Sequence, residues 1–197
     1  MNIKSLVAAA VTAFVLSSTA HAAYTVFTDR TLWVAAVGGS FSEETFSTGT
    51  TTGFSIEQVG TEHSTGISDG VFHDRTQLDD DYTNYNFNAP ITAFGANWDL
   101  APGGPGQGLQ LYFGGTSVAP EITNTYTGGF FGLVSTTAFS TVSVHSGTFD
   151  GVGETHNVDN VVFGNVSAVP EPESYALMLA GLALMGTIAR RRKAKQA

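Results

Sequence analysis

The sequence predicts an all-β protein, a single jelly-roll-like β-sandwich placed between two apolar terminal segments. The region 23–167 is rich in Gly, Thr, Ser, Phe and Val, which favour short strands joined by turns. Within it, apolar and polar residues alternate over short runs, and turn signals separate these runs with almost no helix between them. Regular short strands of this kind indicate two packed sheets, with a closed barrel as the alternative.

The first 22 residues have the three parts of a secretory signal peptide. Lys4 gives the positive start, residues 6–16 form the apolar core, and residues 20–22 form a small-x-small cleavage site. We predict cleavage between Ala22 and Ala23. An uncleaved membrane anchor is disfavoured because the apolar core is shorter than the roughly 20 residues that span a bilayer.

One helix is predicted at the start of the domain, over Asp29–Val37. Thr28 or Asp29 can cap its first turn, apolar residues recur inside it at helical spacing, and Gly38 follows its end.

Strand-like runs occupy the rest of the domain. They are Ser42–Phe46, Phe54–Val59, Gly70–Phe72, Tyr85–Phe87, Ile91–Leu100, Gly108–Phe113, Thr116–Ile122, Phe130–Ser135, Thr141–Ser146 and Asn157–Phe163. Alternation is clearest in Ile91–Leu100 and Gly108–Phe113, and it predicts a sheet with one face in the core. Trp98 is in phase with Phe94, so we expect it in the core and not against a ligand.

Charge and cysteine content limit the chemistry of the domain. It has 15 acidic residues and two basic ones, Arg30 and Arg75, which give a net charge of −13. Such a surface repels nucleic acid and anionic lipid, and it attracts divalent cations or a wet polysaccharide matrix. The absence of cysteine excludes disulfides, thiolate metal sites and cysteine nucleophiles.

The sequence contains no recognisable catalytic motif, and we predict that the protein is not an enzyme. It has neither a His-Glu-x-x-His zinc motif nor a Gly-x-Ser-x-Gly elbow. Glu154 and His156 can share one strand face, yet no nucleophile accompanies them. Glycosidase carboxylates can come from any part of a fold, so a polysaccharide hydrolase is the remaining catalytic alternative.

Aromatic residues give the domain a candidate ligand site. Tyr82, Tyr85, Tyr112 and Trp98 are side chains that can stack on sugar. Tyr82 and Tyr85 follow the acidic residues 79–81, which predict an exposed loop, so these two tyrosines are the predicted ligand-binding pair. Carboxylates in such a loop also supply the oxygen ligands that calcium prefers.

The last 29 residues contain a polar spacer, an apolar run and a basic end, in that order. The spacer is 169–174 (Val-Pro-Glu-Pro-Glu-Ser), the apolar run is Tyr175–Ala189, and the basic stop 190–193 consists of Arg190, Arg191, Arg192 and Lys193. As a helix the run would rise roughly 22 Å, less than a hydrocarbon core of about 30 Å. We therefore predict a helix held transiently in the inner membrane, with the basic stop on the cytoplasmic side. A permanent tail anchor and a short C-terminal helix are the alternatives.

Residues 168–193 resemble the PEP-CTERM sorting domain of Gram-negative bacteria, which is also named the ice-binding-protein C-terminal domain. The resemblance implies processing by an exosortase, an integral-membrane sorting enzyme, near Val169, Pro170, Glu171 and Pro172. It also implies export to the cell surface or extracellular matrix, where exopolysaccharide or biofilm is an expected partner. The chain would then be a substrate of the sorting enzyme.

A second resemblance concerns the domain itself. The segments 43–46, 91–95, 130–134 and 158–161 resemble passenger domains that precede this tail, and the last of them resembles the final strand of lectin-like jelly rolls. In such jelly rolls, acids of the first and last strands can meet around a structural calcium. The resemblance thus implies Glu44 and Asp159 as calcium ligands. Two non-catalytic functions remain open, a surface or matrix protein and a calcium-assisted carbohydrate-binding module.

Overall fold

The computed structural model describes residues 23–76, 80–149, 151 and 153–167, together with residues 178, 182 and 185 of the tail. The predicted signal peptide, sorting motif and basic stop lie outside the described residues. Of the predicted tail helix, the three described residues are helical and their side chains are exposed. Within the described part of the chain, no helix is both long enough and apolar enough to cross a bilayer.

The described residues between 23 and 167 form one helix and ten strands. In chain order these are β1 (Tyr24–Phe27), α1 (Arg30–Val37), β2 (Phe41–Glu44), β3 (Phe54–Val59), β4 (His63–Ser68), β5 (Val71–Thr76), β6 (Tyr82–Asp99), β7 (Leu109–Phe113), β8 (Thr116–Ser117), β9 (Gly129–Ser146) and β10 (Glu154–Gly164).

The strands form two layers that the long strands β6 and β9 connect. Layer one consists of β3, the first half of β6, the second half of β9, β7 and β8. Layer two consists of β1, the first half of β9, the second half of β6, β10, β5, β4 and β2. The β6–β9 register shifts between Asn86 and Ile91, and the exposed residues 88–90 mark the point where β6 passes from one layer to the other. The predicted β-sandwich is confirmed.

The main core lies between the two layers. Its predicted alternation is confirmed, since Phe94, Ala96, Trp98 and Leu100 are all fully buried in it. The Trp98 indole N–H donates to the carbonyl oxygen of Phe131 at 3.1 Å, so the ring has no role at the surface. A fully buried side chain of this size contributes about 1.5–3 kcal/mol to folding.

Helix α1 begins and ends where the sequence predicts. The Asp29 carboxylate accepts the backbone N–H groups of Thr31 at 2.7 Å and Leu32 at 3.1 Å. Gly38 ends the helix in the left-handed region, with φ of 62°. The helix covers the outer surface of layer two, where Trp33 packs on a second, smaller core.

Some strand boundaries differ from those predicted. Strand β6 contains both Tyr85–Phe87 and, as far as Asp99, Ile91–Leu100, and strand β9 contains both Phe130–Ser135 and Thr141–Ser146. Each is one strand because β6 and β9 stay paired where they bend from one layer to the other. Strand β8 is much shorter than Thr116–Ile122. The sequence does not predict β1, which has only four residues, or β4, which is an edge strand with one large apolar residue, Ile67.

Candidate ligand-binding face

The outer surface of layer one carries a cluster of three rings. Tyr82 of β6 lies opposite His145 of β9, and their rings stack with centroids 4.3 Å apart and 12° between planes. Tyr112 of β7 contacts the same imidazole edge-to-face at 4.8 Å. All three side chains are half-buried, so part of each remains open to solvent.

A row of amides and hydroxyls continues this surface. Glu57 on β3 accepts the side-chain N–H groups of Asn84 at 3.3 Å and Asn86 at 3.0 Å. The Ser143 hydroxyl donates to the Asn84 side-chain oxygen at 2.6 Å, and the Thr141 hydroxyl donates to that of Asn86 at 2.9 Å. These contacts cross three adjacent strands and fix the orientation of both amides.

Together these residues form what we name the tyrosine face. It comprises Tyr82, Tyr112, His145, Gln110, Asn84, Asn86, Thr141, Ser143 and Glu57. Glu57 is its one carboxylate, and partial burial lowers the pKa of His145, so the imidazole is neutral at pH 7. The face thus offers phenol rings beside fixed hydrogen-bond donors and acceptors.

The structure separates the two tyrosines that the sequence paired. Tyr82 lies on the tyrosine face, but the prediction that Tyr85 is exposed is wrong, because its side chain is 0 % exposed in the main core. Both belong to a strand and not to a loop, and residues three apart in a strand point to opposite sides. The sequence analysis did not identify His145. The alternation of polar and apolar residues over Thr141–Ser146 places this histidine on the polar side of the strand.

A second polar group lies inside the sandwich. The Asp74 carboxylate, 1 % exposed, lies 3.5 Å from His63 Nε2 and 3.6 Å from His156 Nε2. The Thr83 hydroxyl donates to Asp74 Oδ2. These four side chains come from β4, β5, β10 and β6, so the group ties both layers together at one end of the core.

Several atoms of this buried group have no hydrogen-bond partner. They are Asp74 Oδ1, His63 Nδ1, both ring nitrogens of His156 and the hydroxyl of the neighbouring Tyr85. Burial lowers the pKa of His156 in spite of Asp74 beside it, and burial together with Asp74 raises the pKa of Tyr85. Across the described residues, these included, no group of three or more His, Asp and Glu side chains is arranged to hold a metal ion.

Glu44 and Asp159, the calcium ligands implied by resemblance, lie on different sides of layer two. Glu44 pairs with Val161, which faces the main core, and both its carboxylate oxygens accept backbone N–H groups at 2.7 Å. Asp159 pairs with Asn97 on the outer surface, where it lines a cavity of about 240 Å³. A bulge at Asn160 separates the two positions. That Glu44 and Asp159 share a calcium ion stays a prediction. Their positions on different sides of layer two do not favour it.

Three solved structures are similar to this chain at low sequence identity. A mutant of the family 29 carbohydrate-binding module CBM29-2 is 10% identical, with a TM-score of 0.46 over 68% of this chain and 91% of that chain. Another family 29 carbohydrate-binding module is 12% identical, with a TM-score of 0.45 over 77% and 96%. The catalytic domain of a GH87 α-1,3-glucanase mutant in complex with tetrasaccharides is 14% identical, with a TM-score of 0.34 over 63% and 30%. These values give no information about a shared ligand or activity.

The tail of the chain, in contrast to the domain, matches a family model. No curated protein matches the chain. Residues 168–193, however, match the model of the PEP-CTERM protein-sorting motif, which confirms the resemblance seen in the sequence. The chain therefore ends in a PEP-CTERM sorting motif, which implies that it is exported and processed by an exosortase.

Proposed function

We propose that this exported protein is a non-catalytic component of the cell surface or extracellular matrix, and that it binds exopolysaccharide through the tyrosine face. The observation that carries the proposal is the ring cluster of Tyr82, His145 and Tyr112 beside the fixed amides of Asn84 and Asn86. The sorting motif supports the extracellular location in which such a ligand is met.

The chemistry of the face suits a sugar. A pyranose ring has an apolar surface of C–H groups and a rim of hydroxyls that both donate and accept hydrogen bonds. Tyrosines offer an apolar body with a polar tip, and amides and hydroxyls offer both donors and acceptors. An open sheet surface accommodates a chain of such units along its length.

Charge restricts the class of polysaccharide. The domain has a net charge of −13, and Glu57 is the carboxylate on the face itself. With His145 neutral at pH 7, no cation on the face balances an acidic glycan. A neutral polysaccharide is therefore the favoured ligand, because a polyanionic one would be repelled.

A calcium-assisted carbohydrate-binding module is the alternative function. Calcium would then bridge the acidic domain and an acidic glycan, which reverses the preference for a neutral ligand. The two functions are distinguished by measuring binding to neutral and acidic polysaccharides with calcium and with a chelator.

The test is affinity electrophoresis of residues 23–167 in gels containing neutral polysaccharides and matrix polysaccharide from the native host. Replacing both Tyr82 and Tyr112 by alanine is expected to weaken binding at least about fivefold, since two ring contacts contribute about 1–3 kcal/mol together. Phe149→Ala, which removes an exposed ring outside the face, is the matched control and should bind like the wild type. Equal retardation of all three proteins in every gel would refute the proposal.

A further inference from the structure

Helix α1 is apolar on both sides. Trp33 and Val37 point inward and are fully buried, whereas Leu32, Ala35 and Ala36 form an outward stripe at helical spacing. Leu32 is 62 % exposed. A surface helix normally carries polar residues on its outer side, and here Thr31 is the exposed polar residue within the helix, so the stripe is an unusual surface for a helix on the outside of a domain.

The chain leaves the domain beside the end of this stripe. The Ser167 N–H donates to the carbonyl oxygen of Val37 at 2.9 Å, and the Val166 N–H donates to the Thr92 hydroxyl at 2.8 Å. Gly39 permits the close approach, since a Cβ there would lie 2.4 Å from the Ser167 hydroxyl. These contacts hold Ser167 beside the end of α1, and the sorting motif begins at the next residue.

The surface around this exit is uncharged. A cavity of about 370 Å³ beside it is lined by residues that include Ser40, Phe41, Ser42, Ala89, Pro90 and Asn165. None of these carries a charge, in a domain whose net charge is −13. The nearest charged residues on α1 and β2, Arg30 and Glu43, neutralise each other in an ion pair of 2.7 Å.

The sorting motif begins too close to the domain for an enzyme to avoid this surface. Pro172 is five residues beyond Ser167, and five residues span at most about 18 Å when fully extended. An enzyme that acts near Val169–Pro172 must bring its active site within that distance of Ser167. This is less than the roughly 30 Å diameter of a small domain, so the two proteins touch.

We propose that the exit face, formed by Leu32, Ala35, Ala36, Gly39, Asn165 and Ser167, is the surface on which the exosortase docks while it processes the tail. Proximity of the motif selects the enzyme as the occupant. The bilayer is a weaker candidate, because Tyr175 is eight residues beyond Ser167 and those residues reach up to about 29 Å.

The experiment uses the full-length precursor in a host that contains the cognate exosortase. Pulse-labelled protein is followed from the signal-cleaved form to the tail-processed form, so that export and tail processing are read separately. The double variant Leu32→Glu/Ala35→Glu is expected to slow tail processing at least fivefold without changing signal cleavage. Both positions are exposed and glutamate is a good helix former, so a thermal melt should show an intact domain.

A flexible linker makes the test specific for docking. Twelve Gly and Ser residues inserted after Ser167 add a mean reach of about 19 Å, which lets the enzyme act without touching the domain. With this linker, the double variant and the unsubstituted domain should be processed at equal rates. The charge-matched control is Thr125→Glu/Thr127→Glu, at two exposed positions. These positions flank Tyr126, whose carbonyl oxygen accepts the Leu100 N–H, and Leu100 is about 26 Å along β6 from the exit. The control should leave processing unchanged.

Four outcomes would overturn the proposal. Equal processing of the double variant and the wild type without the inserted linker would show that the exit face makes no contact with the enzyme. Slowing that persists with the linker, or that the control reproduces, would show a general effect of added charge. A wild-type tail that is never processed would remove the premise.

Discussion

Replacing Glu154 by glutamine is expected to remove a large part of the pH dependence of stability between pH 4.5 and 7. The Glu154 carboxylate is 1 % exposed and accepts the backbone N–H groups of Gly108 at 2.6 Å and Thr155 at 3.0 Å. Burial raises its pKa from 4.5 to about 7, although these two hydrogen bonds oppose the shift. Gly106 packs directly on the carboxylate, where a Cβ would lie 2.5 Å away, so water has little access to it.

The sign follows from proton binding. Between pH 4.5 and 7 the folded protein holds a proton on Glu154 that the unfolded chain has released, so stability falls as the pH rises through this window. The stabilising effect is complete below pH 4.5 and lost above pH 7. A pKa raised from 4.5 to about 7 corresponds to about 3 kcal/mol of unfolding free energy. That is a large share of the 5–15 kcal/mol or so that is typical of a domain.

The assay is urea unfolding of wild type and Glu154→Gln at half-unit steps from pH 4 to pH 8. The difference in unfolding free energy between the two proteins should change by about 3 kcal/mol across this range, in favour of the variant at high pH. His156 acts in the opposite direction, because its lowered pKa gives stability that is lost as the pH falls below about 6.5, but it is present in both proteins and cancels. Glu57→Gln, at an exposed carboxylate, is the control. Parallel curves for wild type and Glu154→Gln would refute the reasoning.

Other substitutions are measured as unfolding free energies at pH 7. Tyr85→Phe removes a buried hydroxyl with no hydrogen-bond partner, and it should be neutral or stabilising by up to about 1 kcal/mol. Gly95→Ala places a Cβ 2.5 Å from the Phe130 ring and should cost about 1–3 kcal/mol, whereas Gly66→Ala, with nothing within 4 Å, should cost little. Asp29→Ala removes the cap of α1 and should cost about 1 kcal/mol. A stabilised Gly95 variant, or a destabilised Tyr85 variant, would contradict the packing described above.

The parts of the fold that were predictable are those determined by local pattern. The helix was predictable because Asp29 and Gly38 are capping residues at its two ends. Ile91–Leu100 was predictable because its alternation shows which side chains are buried. Strand β4, with the sequence His-Ser-Thr-Gly-Ile-Ser, was not, because it pairs with β5 on one side and has little apolar surface to bury.

The candidate site depended on information that a single sequence does not contain. Tyr82 and His145 are 63 positions apart, and only the β6–β9 register brings their rings together. Likewise, the neighbours of Asp74 are His63 of β4 and His156 of β10, which no local pattern in the sequence connects to it. Pairing between strands is decided by the whole core, so local patterns identify faces and not partners.

The two proposed surfaces lie on opposite sides of the sandwich. The tyrosine face is the outer surface of layer one, and α1 packs on the outer surface of layer two through Ala93, Phe130 and Val162. An enzyme docked beside Ser167 therefore leaves the rings of Tyr82 and its neighbours uncovered. If both proposals hold, polysaccharide binding and tail processing use different surfaces and do not compete. The charge pattern agrees with this division, since the uncharged surface is the one next to the sorting motif.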